Sequence, residues 1–530
     1  MSLVQAITHQ LTRLRSFTRQ HPIGVLVVAA LIIVGGLLIT QHHHPVYGFT
    51  KFIQLSEIWE KNALPEVPQN PVYVHKNPWG YDGQFYSQLA LRPALRDEKL
   101  ATAIDNFPLR ARRPLTNWIA WLVSGGDTAR IIHLYAWVNV VGWFVFAFLL
   151  LQVIPPVSFH KIIAWAGLVF SAGVLTSVSN ALTDLPALIL ITAAMWTLQH
   201  RRPTTAAALL AAATLTRETS VLAGAILLPN CTWPQRIVRG VILVVPFALW
   251  LGYVRLMAGP ESQSLGNFDW PFFGLTQKIS EVISLVLTAP SELLPWAGLF
   301  TIIGLVVQAV WIAFNPQIRS PWWQLAAPYF ILLMFLGWPT FAGYPSAVSR
   351  ILLPLHLAFN FLVPASRFGT VILLLGNLSV ISGYTLLSYA ERDGHEIEAS
   401  IRQDGDYLAW VTDEWYGVET NGVRTWAWSD GHASLNFQFF PESAANLPVV
   451  RFILIGAHGK EVTISQGDHV IWSGHATQEG IPIEIRDITT DEFGRFALTF
   501  HSDDPPWFED STATGRPLVF AVYDLEMGLR

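Results

Sequence analysis

The hexapeptide Tyr81-Asp82-Gly83-Gln84-Phe85-Tyr86 places one carboxylate among aromatic rings, in the first long polar stretch of a chain otherwise dominated by apolar runs. A carboxylate held just outside a hydrophobic slab, beside rings able to stack on a sugar, has the chemistry to deprotonate an acceptor hydroxyl. Taken alone, the same acid is also an ordinary loop residue.

Cations recur around it. Arg110-Ala-Arg112-Arg113-Pro114 closes the same polar stretch. Guanidinium groups at such a point pair bidentately with a phosphate or pyrophosphate, or simply meet lipid headgroups. Arg217 lies in Thr216-Arg217-Glu218-Thr219, and Arg350 in Ser349-Arg350-Ile-Leu-Leu-Pro354. A lone Arg350 would only snorkel, but together these arginines exceed what helix anchoring needs, and a phosphate-bearing lipid substrate is the economical explanation. In Asn180-Ala-Leu-Thr183-Asp184-Leu-Pro186, Asp184 is either the cap of the helix that follows or a second working carboxylate. His42-His43-His44 is no metal site by this reading, since adjacent histidines cannot all face one ion and no carboxylate or cysteine stands at ligand spacing. An interfacial anchor explains them.

The elements that must position these groups are mostly membrane spans. Of the 530 residues 52% are hydrophobic and 13% charged, with a mean hydropathy of +0.38, values outside the soluble norm. Apolar runs near 23–40, 130–154, 161–178, 182–198, 237–257, 295–314, 322–342, 349–364 and 368–389 are long enough to cross a bilayer. The first follows Arg13, Arg15 and Arg19 and reads as a retained signal-anchor. With a cytoplasmic N-terminus, Lys161, Arg201/Arg202, Arg236/Arg239, Arg319 and Arg367 fall in cytoplasmic turns, as the positive-inside rule requires. The rule holds only if residues 204–228 enter and leave on one side, so Thr204–Leu228 is expected to be two half-length helices meeting at Thr216–Thr219. The alternative is one long helix with an internal Arg–Glu pair. About 11 membrane segments result, two of them half-length. Leu115–Val123, too short to span, is expected to lie in the outer interface. Residues 41–112, 178–183, 258–294, 343–348 and everything after 389 then face the outer side.

Charge divides the chain. Residues 1–389 carry 24 Lys/Arg against 14 Asp/Glu, and 390–530 carry 9 against 24. The acidic tail argues against nucleic acid. The single cysteine, Cys231, rules out an intrachain disulfide framework, and the Asn230-Cys231-Thr232 sequon lies in a cytoplasmic turn. In the tail Arg424–Phe439, Val450–Ala457, Glu461–Ser473, Ile481–Ile488, Phe493–Phe500 and Pro517–Asp524 read as strands of a β-sandwich or jelly roll. The expected division is a membrane domain over 1–389 and an extracytoplasmic β domain over 390–530.

With the Tyr81–Tyr86 motif, Arg112-Arg113, Asn180…Asp184, Leu215-Thr-Arg217-Glu218 and Ser349-Arg350…Pro354, residues 1–389 resemble a bacterial GT-C type integral-membrane glycosyltransferase. The resemblance implies a polyprenyl-phosphate-linked sugar as donor, a glycan or glycolipid acceptor, and a site on the extracytoplasmic face of the bacterial inner membrane. It implies Asp82 as acceptor-activating base and Arg112, Arg113, Arg217 and Arg350 as holders of the donor phosphate. Tyr81, Gln84, Tyr86 and Asn180 would shape the sugar pocket. Many relatives carry paired acids where this chain has Gly83, leaving open whether Asp184 or Glu218 supplies a second carboxylate. The tail resembles small β-sandwich modules that end some of these enzymes.

The physical reading beside the resemblance is a single displacement with inversion at the anomeric carbon. Asp82 takes the acceptor proton and the arginines stabilise the departing phosphate. No cofactor is expected, and a divalent metal is not required if enough guanidinium groups surround the phosphate. A polymerase or ligase of lipid-linked polysaccharide would put its rich loop late in the chain, and a transporter would show internal pseudo-symmetry.

Overall fold

The computed structural model describes residues 20–43, 47–68, 70, 72–75, 79–229, 232–260, 266–388, 407–411, 414–421, 423–439, 448–491, 494–508 and 515–529. Arg13, Arg15, Arg19, His44, Asn230, Cys231 and the expected domain junction at 389/390 lie outside the described residues. The chain divides into two compact units. One comprises residues 1–43, 49–64 and 74–390, and the other residues 44–48, 65–73 and 391–530.

The first unit is helical. In chain order the elements used below are α1 (Pro22–Thr40), α2 (Gly83–Leu91), α3 (Phe107–Arg110), α4 (Leu115–Ser124), α5 (Thr128–Val153), α6 (Phe159–Ser179), α7 (Asp184–Gln199) and α8 (Pro203–Thr216), then a 3-10 helix (Glu218–Leu227), α9 (Trp233–Ala258), α10 (Phe273–Thr288), α11 (Leu293–Phe314), α12 (Pro321–Phe335), α13 (Val348–Ile351), α14 (Leu353–Leu362) and α15 (Arg367–Ser388). Six of these, α1, α5, α6, α9, α11 and α15, are long and apolar enough to cross a membrane. The other expected spans are shorter. The run expected at 322–342 stops as a helix at Phe335, because Leu336 turns extended and Gly337 donates its amide to Asn267 O at 2.8 Å. The run expected at 349–364 divides at Leu352, where Pro354 opens α14. The stretch 258–294, expected on the outer side, contains the 16-residue helix α10.

The expected half-length pair is present in altered form. α8 ends at Thr216, Arg217 is extended (φ −152°, ψ 122°), and the chain continues as a 3-10 helix rather than an α-helix. That second half packs back against α8, as an inward-and-return path requires. Its first turn is braced by Tyr329, whose hydroxyl donates to Thr219 O at 3.0 Å. A break of this kind is stable in an apolar body only where protein groups satisfy the freed backbone. α4 matches the short helix expected at Leu115–Val123 and exposes Ile119, Leu122 and Val123.

The second unit is a β-sandwich with strands β1 (Tyr407–Val411), β2 (Trp415–Thr420), β3 (Thr425–Ser429), β4 (His432–Phe439), β5 (Pro448–Gly456), β6 (Lys460–Gln466), β7 (His469–Ala476), β8 (Ile481–Ile485), β9 (Arg495–His501) and β10 (Phe520–Leu529). Two five-stranded antiparallel sheets run β8-β5-β10-β3-β2 and β1-β4-β9-β6-β7. Phe437 and Phe496 stack, and Trp415, Phe452, Phe500 and Phe520 meet edge-on or tilted in the buried centre. The single strand expected over Arg424–Phe439 is two strands in opposite sheets, because Gly431 (φ 127°) turns the chain after Asp430. The alternation on both sides of that corner keeps its period, so the sequence pattern hides it. Of the tail's tryptophans, Trp426 stacks on Tyr523 and is half-buried, whereas Trp507 is exposed. Two segments of the first polar stretch, 44–48 and 65–73, belong to this unit. Gln438 donates to Pro68 O at 2.6 Å.

Candidate active site

Asp82 sits at the N-terminal end of α2, every residue of which is buried. α2 stops at Arg92 because Pro93 follows and disfavours helical backbone before it. Two glycines set its entry. Gly80 has φ +58°, and a Cβ there would lie 2.4 Å from Gln54 O. A Cβ on Gly83 would lie 2.4 Å from Asn180 O and 2.9 Å from Ile53 O. Position 83 therefore has no room for a second acid, and any partner carboxylate must come from another element. Gly83→Ala is expected to push α2 off the Asn180 turn and to destabilise the helical unit by about 1–3 kcal/mol, the usual cost of overpacking a buried contact. Unfolding midpoints of the variant check this, and a midpoint equal to wild type counts against the fit.

Gln84, expected in a sugar pocket, is fully buried and spends its side chain on backbone. Its Oε1 accepts from Ser56 N at 3.2 Å and its amide donates to Trp79 O at 3.0 Å. It ties the loop ahead of Asp82 to the start of the motif. Asn180 donates to Thr176 O at 2.9 Å and Ser179 Oγ at 3.1 Å. The part of Asn180 that meets the motif is its carbonyl, over Gly83.

Asp82 faces two guanidinium groups. Arg110 Nη1 lies 2.9 Å and Arg350 Nη2 3.3 Å from Oδ2, and the carboxylate side chain keeps 20% of its surface accessible. Burial pushes this carboxyl up, but the pull of Arg110, Arg350 and Arg113 together outweighs it and brings the pKa down to about 2. Arg110 was not among the sequence candidates for this contact. Asn106 caps α3 by accepting from Leu109 N, and Pro108 stands in the first turn, so one tight turn carries Arg110 to Asp82. Arg110 also holds Asp105 through Nε–Oδ1 (3.0 Å) and Nη2–Oδ2 (2.8 Å).

Asp184 is the second-choice acid of the sequence and is nearly inaccessible. It does not cap α7. Thr183 holds the N-cap position, without a side-chain cap bond, and Asp184 is the first helical residue. Its carboxylate turns to arginines instead, with Arg217 Nη1 2.5 Å from Oδ1 and Arg350 Nη1 3.2 Å from Oδ2. A carboxylate in a helix's first turn also suits the helix dipole. Glu218 is claimed by Arg113 through two parallel contacts of 2.7 and 2.6 Å. The third Arg113 direction, Nη1, donates to the hydroxyl of Tyr86 in a short hydrogen bond. Tyr86 is fully buried with Arg110 and Arg113 over its ring, both at 5.8 Å, and Tyr81 lies under Arg350 at 5.6 Å. Arg112 is half-buried.

The structure thus gathers Asp82, Asp184, Glu218, Arg113, Arg217 and Arg350 from α2, α7, the α8 break, the turn before α4, and α13. The excess of cations expected from sequence does not survive the pairing. Four arginines (110, 113, 217 and 350) are matched by four carboxylates (82, 105, 184 and 218). Donor capacity nevertheless remains: the buried Arg217 Nε and Nη1 and Arg350 Nε have no hydrogen-bond partner among the described residues. The Arg217 Nη1–Asp184 pair is close in distance but lacks hydrogen-bond direction. Buried donors without partners are costly and point to an anion. Among the described residues no group of three or more His, Cys, Asp or Glu could hold a metal ion. His42 contacts Leu387 O through Nε2 at 2.8 Å.

No protein-family model matches the sequence, and no curated protein matches it. Among solved structures, the chain is similar to the arabinosyltransferase EmbB from Mycobacterium smegmatis, with a TM-score of 0.32 and 10% identity. The match covers 84% of this chain and 62% of EmbB, so the chain spans less than two thirds of that protein's length. At that level the likeness assigns no residue and no substrate.

Proposed function

We propose that the protein is a membrane glycosyltransferase that moves a sugar from a polyprenyl-phosphate donor to a glycan or lipid-linked acceptor on the extracytoplasmic face. The observation that carries this reading is the partly accessible Asp82 carboxylate beside the buried Nε groups of Arg217 and Arg350, which have no hydrogen-bond partner among the described residues. A base for the acceptor and donors for a phosphate, a few ångströms apart, are the two parts that displacement of a lipid phosphate needs.

In this reading the acceptor oxygen attacks the anomeric carbon as Asp82 takes its proton. The bond from that carbon to the phosphate oxygen breaks, and the electron pair leaves with the phosphate toward Arg217 and Arg350. One displacement inverts the anomeric centre. An apolar groove of about 360 Å³, lined by Pro114, Leu115, Trp118, Leu215, Pro246 and Trp250, suits the isoprenoid tail. Pro114 follows Arg113 directly and Leu215 precedes Arg217 by two residues, so the groove adjoins the arginines in sequence.

The reading is tested by supplying the full chain in nanodiscs with labelled polyprenyl-phosphate sugars, and by comparing envelope glycans of deletion and wild-type strains. Loss of one sugar from one surface polymer would identify donor and acceptor together. An unchanged glycan profile with no transfer in vitro would refute it. Arg217→Ala is expected to weaken lipid-phosphate binding about tenfold, the scale of one or two charge-assisted hydrogen bonds. Unchanged affinity in a direct binding titration would remove Arg217 from the phosphate site.

A further inference from the structure

The site is balanced without a ligand. Its four linked guanidinium groups face four carboxylates, so an arriving phosphate competes with carboxylates for guanidinium groups they already hold. Geometry decides which one yields. Arg113 has three directions occupied, two by Glu218 and one by Tyr86. Arg110 keeps two contacts to Asp105 whatever Asp82 does. Of the two arginines on Asp82, Arg350 holds it less tightly, at 3.3 Å against 2.9 Å for Arg110, and its only other contact to a carboxylate is 3.2 Å to Asp184, with its Nε unused. Arg217 also meets Asp184, through Nη1 at 2.5 Å, and its Nε has no hydrogen-bond partner among the described residues. A phosphate entering there meets Arg217 and Arg350 together.

We propose that the donor phosphate draws Arg350 off Asp82, and that this exchange leaves Asp82 held by Arg110 alone and raises its affinity for the acceptor proton, so the base is strengthened only when a lipid phosphate is in place. The proposal rests on the donor reading given under Proposed function. It answers a difficulty in that reading: a carboxyl held at about 2 is a poor base near neutral pH, where a general base works best with a pKa closer to the working pH. The groups that set its proton affinity are Arg110, Arg350 and Arg113, with Tyr81, Tyr86 and Tyr135 beside them and Asp105, Asp184, Glu218 and Arg217 behind. Loss of Arg350 and arrival of negative charge both raise it. An unloaded site, with Asp82 held by both Arg110 and Arg350, offers a weaker base to water.

The sign follows by linkage. If Asp82 binds protons more tightly in the complex than in the free protein, lipid-phosphate binding takes up a proton and affinity rises as pH falls through the complex's pKa. The test uses the full chain in phosphatidylcholine nanodiscs with undecaprenyl phosphate as probe, at pH 5.0 and 4.0. Both values lie below the second phosphate ionisation near pH 6. Wild type is expected to bind at least about threefold more tightly at pH 4.0, and Asp82→Asn to bind equally at both. Calorimetry of the wild type in buffers of differing ionisation enthalpy counts the proton directly and needs no variant. Equal wild-type affinity at both pH values with no proton uptake would overturn the proposal and leave the phosphate site standing. A pH effect that persists in Asp82→Asn would overturn it by assigning the proton to another group. Absence of binding at either pH would overturn this proposal and the donor reading together.

Discussion

Asp82→Asn is expected to lower sugar transfer by at least about a hundredfold, the usual scale for a positioned base, while the protein still inserts and still binds lipid phosphate. The substitution is nearly isosteric and removes one negative charge. Neither arginine is orphaned, because Arg110 retains Asp105 and Arg350 retains Asp184. With one carboxylate fewer competing, phosphate affinity at neutral pH should hold or increase. Binding and turnover therefore separate: a labelled-sugar transfer assay should collapse while an undecaprenyl-phosphate titration does not. Turnover within about tenfold of wild type would remove Asp82 from the chemistry.

Arg113→Met is expected to destabilise the helical unit by about 3 kcal/mol, the lower end of the range for severing a buried ion pair. The lower end applies because the Glu218 side chain keeps 26% of its surface, whereas Arg113 keeps 9%. The substitution leaves Glu218 facing an apolar side chain and deprives the buried Tyr86 hydroxyl of its donor. Adding Glu218→Gln should recover most of the loss, because the cost lies in the unpaired charge and not in the missing attraction. Unfolding midpoints of the single and double variants in nanodiscs check this. A single variant as stable as wild type would mean that water already screens the pair.

The motif around Asp82 is legible because its residue types are unusual together: an acid, a glycine and three aromatics within six residues at the edge of an apolar chain. The break at Thr216–Thr219 was legible from charge sidedness, since arginines on both flanks of 204–228 demand an entry and a return. The roles of Gln84 and Arg110 were not legible. Gln84 looks like a sugar-binding amide until its partners prove to be Ser56 N and Trp79 O, contacts across a loop whose path no local pattern sets. Arg110 lies two residues from Arg112 in one basic run, and only the tight turn of α3 selects it for Asp82. In the tail, strand periodicity is the same on both sides of Gly431, so β3 and β4 read as one run; Glu461–Ser473 likewise spans β6 and most of β7, and β1 and β2 fall in none of the six runs.

By itself the sequence determined the division into an apolar helical body and an acidic β-strand tail, because burial and solvation of whole segments depend on composition and period, which are local. It also supplied the candidates, since acids and arginines inside apolar runs are too costly to be incidental. Only the tertiary structure decided how they pair. Asp82, Asp184 and Glu218 come from three elements, and their arginines from α3, the turn before α4, the α8 break and α13. Which guanidinium meets which carboxylate depends on distances of a few ångströms between segments up to 268 residues apart. Electrostatic energy changes steeply over that range, so charge balance, the low proton affinity of Asp82 and the looser hold of Arg350 on Asp82 are properties of the fold.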